Sequence, residues 1–98
     1  MITIRPATPA DRPDLGVIKS RAAWSNETDR PFLAAHPEAA RAIETALTVT
    51  VLEEDGAIRA FAGTLCAPDR ALRIEALFTD PDHMRRGFAR QLVQFVRK

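Results

Sequence analysis

LTVTVLEEDGAIRAFAGTLCA, Leu47 to Ala67, is the stretch on which the fold turns. Its first part, Leu47–Glu54, is rich in β-branched residues, which suit the pleated backbone of a strand. Asp55–Gly56 comes next. This pair accepts the positive φ angles of a tight two-residue hairpin. Ala57–Ala67 is then the returning strand. Pro68–Arg70 supplies a second turn, and Ala71–Thr79 a further strand. In that strand Leu72, Ile74, Ala76 and Phe78 alternate with Arg73, Glu75, Leu77 and Thr79. Strands joined by tight turns pair antiparallel.

Upstream, Ile2–Arg5 reads as a short strand ended by Pro6. Thr8 is a helix N-cap candidate, with Pro9 at the first helical position and Asp11 at the capping-box acid position. Leu15, Ile18, Ala22 and Val17 are the candidates for that helix's buried stripe. Ser25–Pro37 is polar, holds two prolines, and reads as a loop with room for one helical turn. Pro37–Ala46 is alanine-rich and predicts a second helix. Downstream, Asp80–Gly87 is a loop. Phe88–Lys98 is a helix with Phe88, Leu92, Phe95 and Val96 on one face. The order is β-α-α-β-β-β-α. The class is α/β or α+β: about four mainly antiparallel strands flanked by three helices, in one domain over residues 1–98.

Composition removes several classes. The net charge of +1 is too small to imply nucleic acid or membrane. No apolar run reaches the ~18 residues of a transmembrane helix. The opening MITIRPATPAD has no apolar core of signal-peptide length. Cys66 is the lone cysteine, so no internal disulfide can form and a reducing, cytoplasmic setting is expected. Cys66 reads as a small core residue rather than a nucleophile. One cysteine and two distant histidines, His36 and His83, give a metal little to bind, so none is expected.

The charge is nevertheless uneven. Residues 83–98 hold Arg85, Arg86, Arg90, Arg97 and Lys98 and no carboxylate. Arg85 and Arg86 lead through Gly87 into the last helix. A helix start exposes unpaired N–H groups and the positive end of the dipole. Glycine lets a backbone approach a ligand closely, and arginine forks onto phosphate oxygens. The expectation is a phosphate or pyrophosphate at residues 84–89. A turn glycine beside solvated arginines is the plainer alternative. Nucleic acid is not expected, because no aromatic stacking residues interleave with these cations on a strand.

Three stretches in this order resemble the GNAT superfamily of acetyl-coenzyme A-dependent N-acetyltransferases. ITIRPATPADRPDL resembles its first strand and helix. LEEDGAIRAFAGTL resembles its second and third strands. IEALFTDPDHMRRGFARQLV resembles its coenzyme A motif, in which Gln or Arg is followed by two residues, Gly, one residue, and Gly or Ala. Gly87 and Ala89 match the small positions; Met84 stands where Gln or Arg is usual. The resemblance implies acetyl-CoA as co-substrate, a primary amine as acceptor, and pyrophosphate on the amides of Met84, Arg85, Arg86, Gly87, Phe88 and Ala89, with Arg90 nearby. It implies that Leu77, Phe78 and Thr79 pair with the pantetheine arm, and that one of their amides polarises the acetyl carbonyl. Glu75 is the candidate general base; its alternative is a solvent-facing strand residue paired with Arg73 or Arg59. His83 reads as a loop residue beside the phosphate. Trp24 is either core or part of the acceptor wall, which the loop Ser25–Pro37 would shape.

The family's fold continues past this helix with further strands. The resemblance therefore implies an N-terminal portion, incomplete at its C-terminus. A fragment, a natural half completed by a homodimer through the exposed sheet edge, and a non-catalytic coenzyme-binding or interaction module are all open.

Overall fold

The computed structural model describes residues 1–24, 28–36, 47–66, 68–69 and 71–97. Its elements are β1 (Ile2–Pro6), α1 (Arg12–Trp24), α2 (Arg30–Ala35), β2 (Thr48–Glu54), β3 (Ala57–Cys66), β4 (Leu72–Thr79) and α3 (Phe88–Val96). Single 3-10 turns, Pro9–Asp11 and Pro81–His83, precede α1 and α3. The four strands form one antiparallel sheet in the order β1-β2-β3-β4. The helix expected over Pro37–Ala46 lies outside the described residues. Among the described residues no helix is long and apolar enough to cross a membrane.

The β2–β3 turn forms as its residues dictate. Asp55 and Gly56 both have positive φ, 52° and 87°. That is the pattern of a turn whose twist matches the strands it joins. The Asp55 N–H donates to the Met1 carbonyl at 3.0 Å, which ties the turn to the start of β1. The entrance to α1 is equally local. The Thr8 N–H and hydroxyl both donate to Asp11 Oδ2, at 2.7 and 3.1 Å.

Helices cover both faces of the sheet. On one face Phe88 and Leu92 of α3 pack with Leu52, Ala60 and Ala62. On the other, Leu15 and Ile18 of α1 pack with Val51 and Phe61. Neighbouring residues of β2 and β3 thus serve opposite layers, as the period of two requires. A strand buried on both sides reads as a continuous apolar run, which accounts for Ala60-Phe61-Ala62. The alanines leave room for the larger side chains of α3.

Three expected core positions, and Leu72 of the alternating strand, fall outside these layers. Val17 is exposed. It lies about half a helical turn round from Leu15, so both cannot face the sheet. Phe95 is 42% exposed. The α3 residues that pack on the sheet are Phe88 and Leu92, and Phe95 lies on the flank of that row. Cys66 is exposed, as the last residue of β3. Leu72 is 45% exposed, at the start of the edge strand. Trp24 ends α1, also exposed and outside both core clusters.

Two bulges interrupt the ladders. Leu52 pairs with Ala60 but Glu53 with Ile58, so Arg59 is the extra residue in β3. Gly63 pairs with Ala76 but Thr64 with Ile74, so Glu75 is the extra residue in β4. Bulges bend a strand and re-aim its groups. The first lies near the start of β3, beside the end of β4, and the second lies on β4, which leads into the β4–α3 loop.

Candidate functional site

β4 delivers the chain to Asp80, which is buried and bonded on every side. Its N–H donates to the carbonyl of the bulged Arg59 at 2.8 Å. Its Oδ1 accepts from the Asp82 N–H at 3.0 Å, capping the 3-10 turn. Its Oδ2 accepts from Arg21 Nη1 at 2.9 Å. Arg21 Nη2 reaches on to Asp82 Oδ2 at 2.7 Å. One arginine of α1 thus fixes the beginning of the loop. Its donated hydrogen bond holds the Asp82 carboxyl below the usual range.

The far end of the loop turns sharply. Arg85 and Gly87 both adopt left-handed backbone, with φ of 66° and 81°. Glycine meets that demand without strain, whereas arginine does not. A Cβ added at Gly87 would meet no other atom within 4 Å. The glycine is therefore favoured by its backbone angle, and it opens onto free space.

That space is a cavity of about 350 Å³ between the end of β4 and the start of α3. Thr79, His83, Met84 and Arg85 line one side; Gly87, Phe88, Ala89 and Arg90 line the other. Among the described residues its charged lining is Arg85 and Arg90, with no carboxylate. The first amides of α3 lack helical acceptors and point the same way as the dipole's positive end. Cations, amides and dipole together make this a place for an anion.

The expected site residues separate into groups. Thr79, Met84, Arg85, Gly87, Phe88, Ala89 and Arg90 line the cavity, as does His83. Arg86 does not. Its two Nη atoms fork onto the two carboxylate oxygens of Glu54, with Nη1 2.9 Å from Oε1. Phe78 turns to the opposite side of the sheet, where its ring lies 5.5 Å from that of Phe61. There it lines a second cavity of about 390 Å³ with Lys19, Ala22, Ala23, Asp29, Phe32 and Leu33, between α1, α2 and β4. Leu77 is 38% exposed on the edge strand. Glu75 is exposed at its bulge, about 13 Å of strand before Thr79. It makes no ion pair among the described residues. Arg59, one partner considered for it, faces Glu54 instead, with Nε 3.5 Å from Oε1.

Sequence reading missed Arg21, Asp82 and Glu54. The pairs they make span 59, 61 and 32 residues, so no local spacing announces them.

The sequence matches the model of the acetyltransferase (GNAT) family over residues 14–98. A comparison with curated proteins finds no match. Among solved structures, the chain is similar to the ribosomal-protein-S18-alanine N-acetyltransferase from Escherichia coli, with a TM-score of 0.71 and 24% identity. That match covers 98% of this chain and 57% of the other. It is also similar to PaiA N-acetyltransferase from Thermoplasma acidophilum, solved in complex with coenzyme A, with a TM-score of 0.77 and 10% identity over 99% of this chain and 70% of that one. A GCN5-related N-acetyltransferase from Ralstonia eutropha gives a TM-score of 0.73 and 22% identity over 99% and 74%. The chain thus spans little more than half the length of the first of these structures. At these identities the likeness is one of fold, but the family model covers most of the chain: it belongs to the GNAT acetyltransferase family.

Proposed function

We propose that this chain binds acetyl-coenzyme A and forms the coenzyme-binding portion of an N-acetyltransferase acting on a primary amine. The observation that carries this reading is the end of β4. Adjacent residues Phe78 and Thr79 open into two cavities on opposite faces of the sheet, one whose charged lining is arginine alone and one that carries both Lys19 and Asp29. The family supplies the chemistry, and the solved complex of a relative with coenzyme A supports the ligand.

In this reading the pyrophosphate lies on the amides of Met84–Ala89, with Arg85 and Arg90 supplying charge. The pantetheine arm runs along the outer edge of β4 beside Leu77–Thr79. That edge is unpaired in the sheet among the described residues. A strand-end amide donates to the acetyl carbonyl and stabilises the developing oxyanion. The amine nitrogen attacks the carbonyl carbon, an N–C bond forms, the C–S bond breaks, and coenzyme A leaves as thiolate. Glu75 takes the amine's proton. The cavity between α1 and α2 receives the acceptor. The cytoplasm is the proposed setting, supported by the lone Cys66.

Calorimetric titration with acetyl-coenzyme A tests this on three proteins: the parent, Gly87→Asn and Gly87→Asp. Asn and Asp have nearly the same shape, and both tolerate left-handed backbone better than other residues. Only Asp adds negative charge at the lip of the cavity. The Asp variant should bind at least about tenfold more weakly than the Asn variant, since charge-assisted contacts to phosphate are among the strong ones. Equal binding by the two would remove the anion from this loop. A parent that binds nothing would favour a second, non-catalytic reading, in which the free β4 edge pairs with a second copy of the chain. Its mark is association that rises with protein concentration.

A further inference from the structure

We infer that Glu54 is a positioning residue of the anion loop: acting through Arg86, it presets the backbone of residues 84–88 in the form that receives the ligand. This rests on the coenzyme reading above.

Two consecutive arginines have opposite fates in this loop. Arg85 lines the cavity. Arg86 turns back and forks onto Glu54, the last residue of β2. Its guanidinium also lies 4.7 Å from the centre of the Phe88 ring, and its Nη1 is 3.2 Å from His83 Nδ1. The loop's strongest cationic contact is therefore made to the sheet, away from the cavity.

The anchor is firm. The Glu54 side chain is only 17% exposed, and its strand lies inside the sheet between β1 and β3. Forked arginine–carboxylate pairs fix orientation as well as distance. What they fix here is a costly backbone. Arg85 holds left-handed angles that penalise any residue with a Cβ. Such a conformation persists only where its surroundings over-determine it. Asp80 and Asp82, held by Arg21, pin the loop on one side. The Glu54–Arg86 fork pins it on the other. The stretch between these anchors, His83 to Arg85, forms part of the cavity's lining.

Removing the Glu54 charge would undo the second anchor. Arg59 Nε is buried, lacks a hydrogen bond and is 3.5 Å from Glu54 Oε1. Without that carboxylate, Arg59 and Arg86 become like charges with nothing between them. Arg86 would leave, and the loop would have to be ordered again whenever a ligand bound, which weakens binding.

A double-mutant cycle of Glu54→Gln and Arg86→Gln tests this, with two readouts. The first is the NMR order parameter of residues 84–88 without ligand. In the parent it should be near the rigid value of about 0.85, falling toward about 0.6 in Glu54→Gln, while α1 and β3 stay unchanged. The second is affinity for acetyl-coenzyme A, which should fall about three- to tenfold in Glu54→Gln. In the Arg86→Gln background, Glu54→Gln should add nothing to either readout. An unchanged loop in Glu54→Gln would overturn the inference. So would equal effects of Glu54→Gln in both backgrounds, or loosening of the whole core. If the parent binds no acetyl-coenzyme A, the coenzyme reading fails alone; the order parameters still decide whether Glu54 sets the loop.

Discussion

Glu75 is the extra residue of the β4 bulge, and it differs from the carboxylates around the β4–α3 loop. Glu54, Asp80 and Asp82 are each held by an arginine. Glu75 is exposed and makes no ion pair among the described residues, so no arginine holds its carboxylate. If it serves as the base, Glu75→Gln should lower kcat/KM for acetyl transfer about 10²- to 10⁴-fold, the usual scale of general-base catalysis. Affinity for acetyl-coenzyme A should not change, because the residue is upstream of the cavity. An acetyl-transfer assay at saturating acetyl-coenzyme A checks the first point and a titration the second. Full activity in the Gln variant would pass the proton to another group. Alternation alone could not tell which way Glu75 faces. One inserted residue leaves the pattern of a strand almost intact, yet it moves every later side chain relative to its neighbours.

At the scale of the element, α3 shows which part of the pattern is informative. The sequence placed Phe88, Leu92, Phe95 and Val96 on one face. Only Phe88 and Leu92 of these are buried in the core cluster on the sheet, so two large apolar residues of one helix have unequal weight. Leu92 is fully buried against Leu52, Ala60 and Ala62. Leu92→Ala should cost about 2–5 kcal/mol, the sum of lost burial and the cavity left behind. Phe95→Ala should cost about 0.5 kcal/mol or less, as expected for a residue away from the packed core. Urea unfolding at constant slope measures both. Equal losses would mean that α3 is rotated from the position described here. The Asp55–Gly56 hairpin was legible because its two residues satisfy a local demand for positive φ. The weight of Phe95 was not, because the width of a buried stripe depends on what packs against it. Cys66 escaped for a similar reason: an apolar residue at the end of a strand is buried only if a helix extends over it.

At the scale of the molecule, the layers are pinned by ion pairs between segments far apart in sequence. Arg5 of β1 donates to Asp11 ahead of α1 at 2.8 Å and to Glu53 of β2 at 3.3 Å. Arg21 joins α1 to the β4–α3 loop, and Arg86 joins that loop to β2. Most of these pairs were illegible in the sequence, since any of its 14 basic residues could meet any of its 13 acidic ones. Their shared consequence is sensitivity to acid. The Arg5 hydrogen bond, with help from the Thr8 N–H, holds the Asp11 carboxyl well below the usual range. Arg86 and Arg21 lower Glu54 and Asp82 in the same direction. A carboxyl whose folded pKa is depressed stabilises the fold fully above its unfolded value, about 3.9 for Asp. That contribution fades as pH falls from there toward the folded value. The arginines stay charged throughout, so no matching loss arises on the alkaline side from these pairs. Asp11→Asn isolates the largest member. At about pH 7 it should cost about 1.5–3 kcal/mol, because it leaves the Arg5 guanidinium and two Thr8 donors without a charged acceptor. Below about pH 4 the gap between parent and variant should narrow, because the carboxyl of the unfolded parent takes up a proton that the folded one does not yet accept. Urea unfolding of both proteins across this range measures the gap directly. A constant gap would show that Asp11 acts through its shape and neutral hydrogen bonds, and that the acid sensitivity of the fold comes from the other pairs.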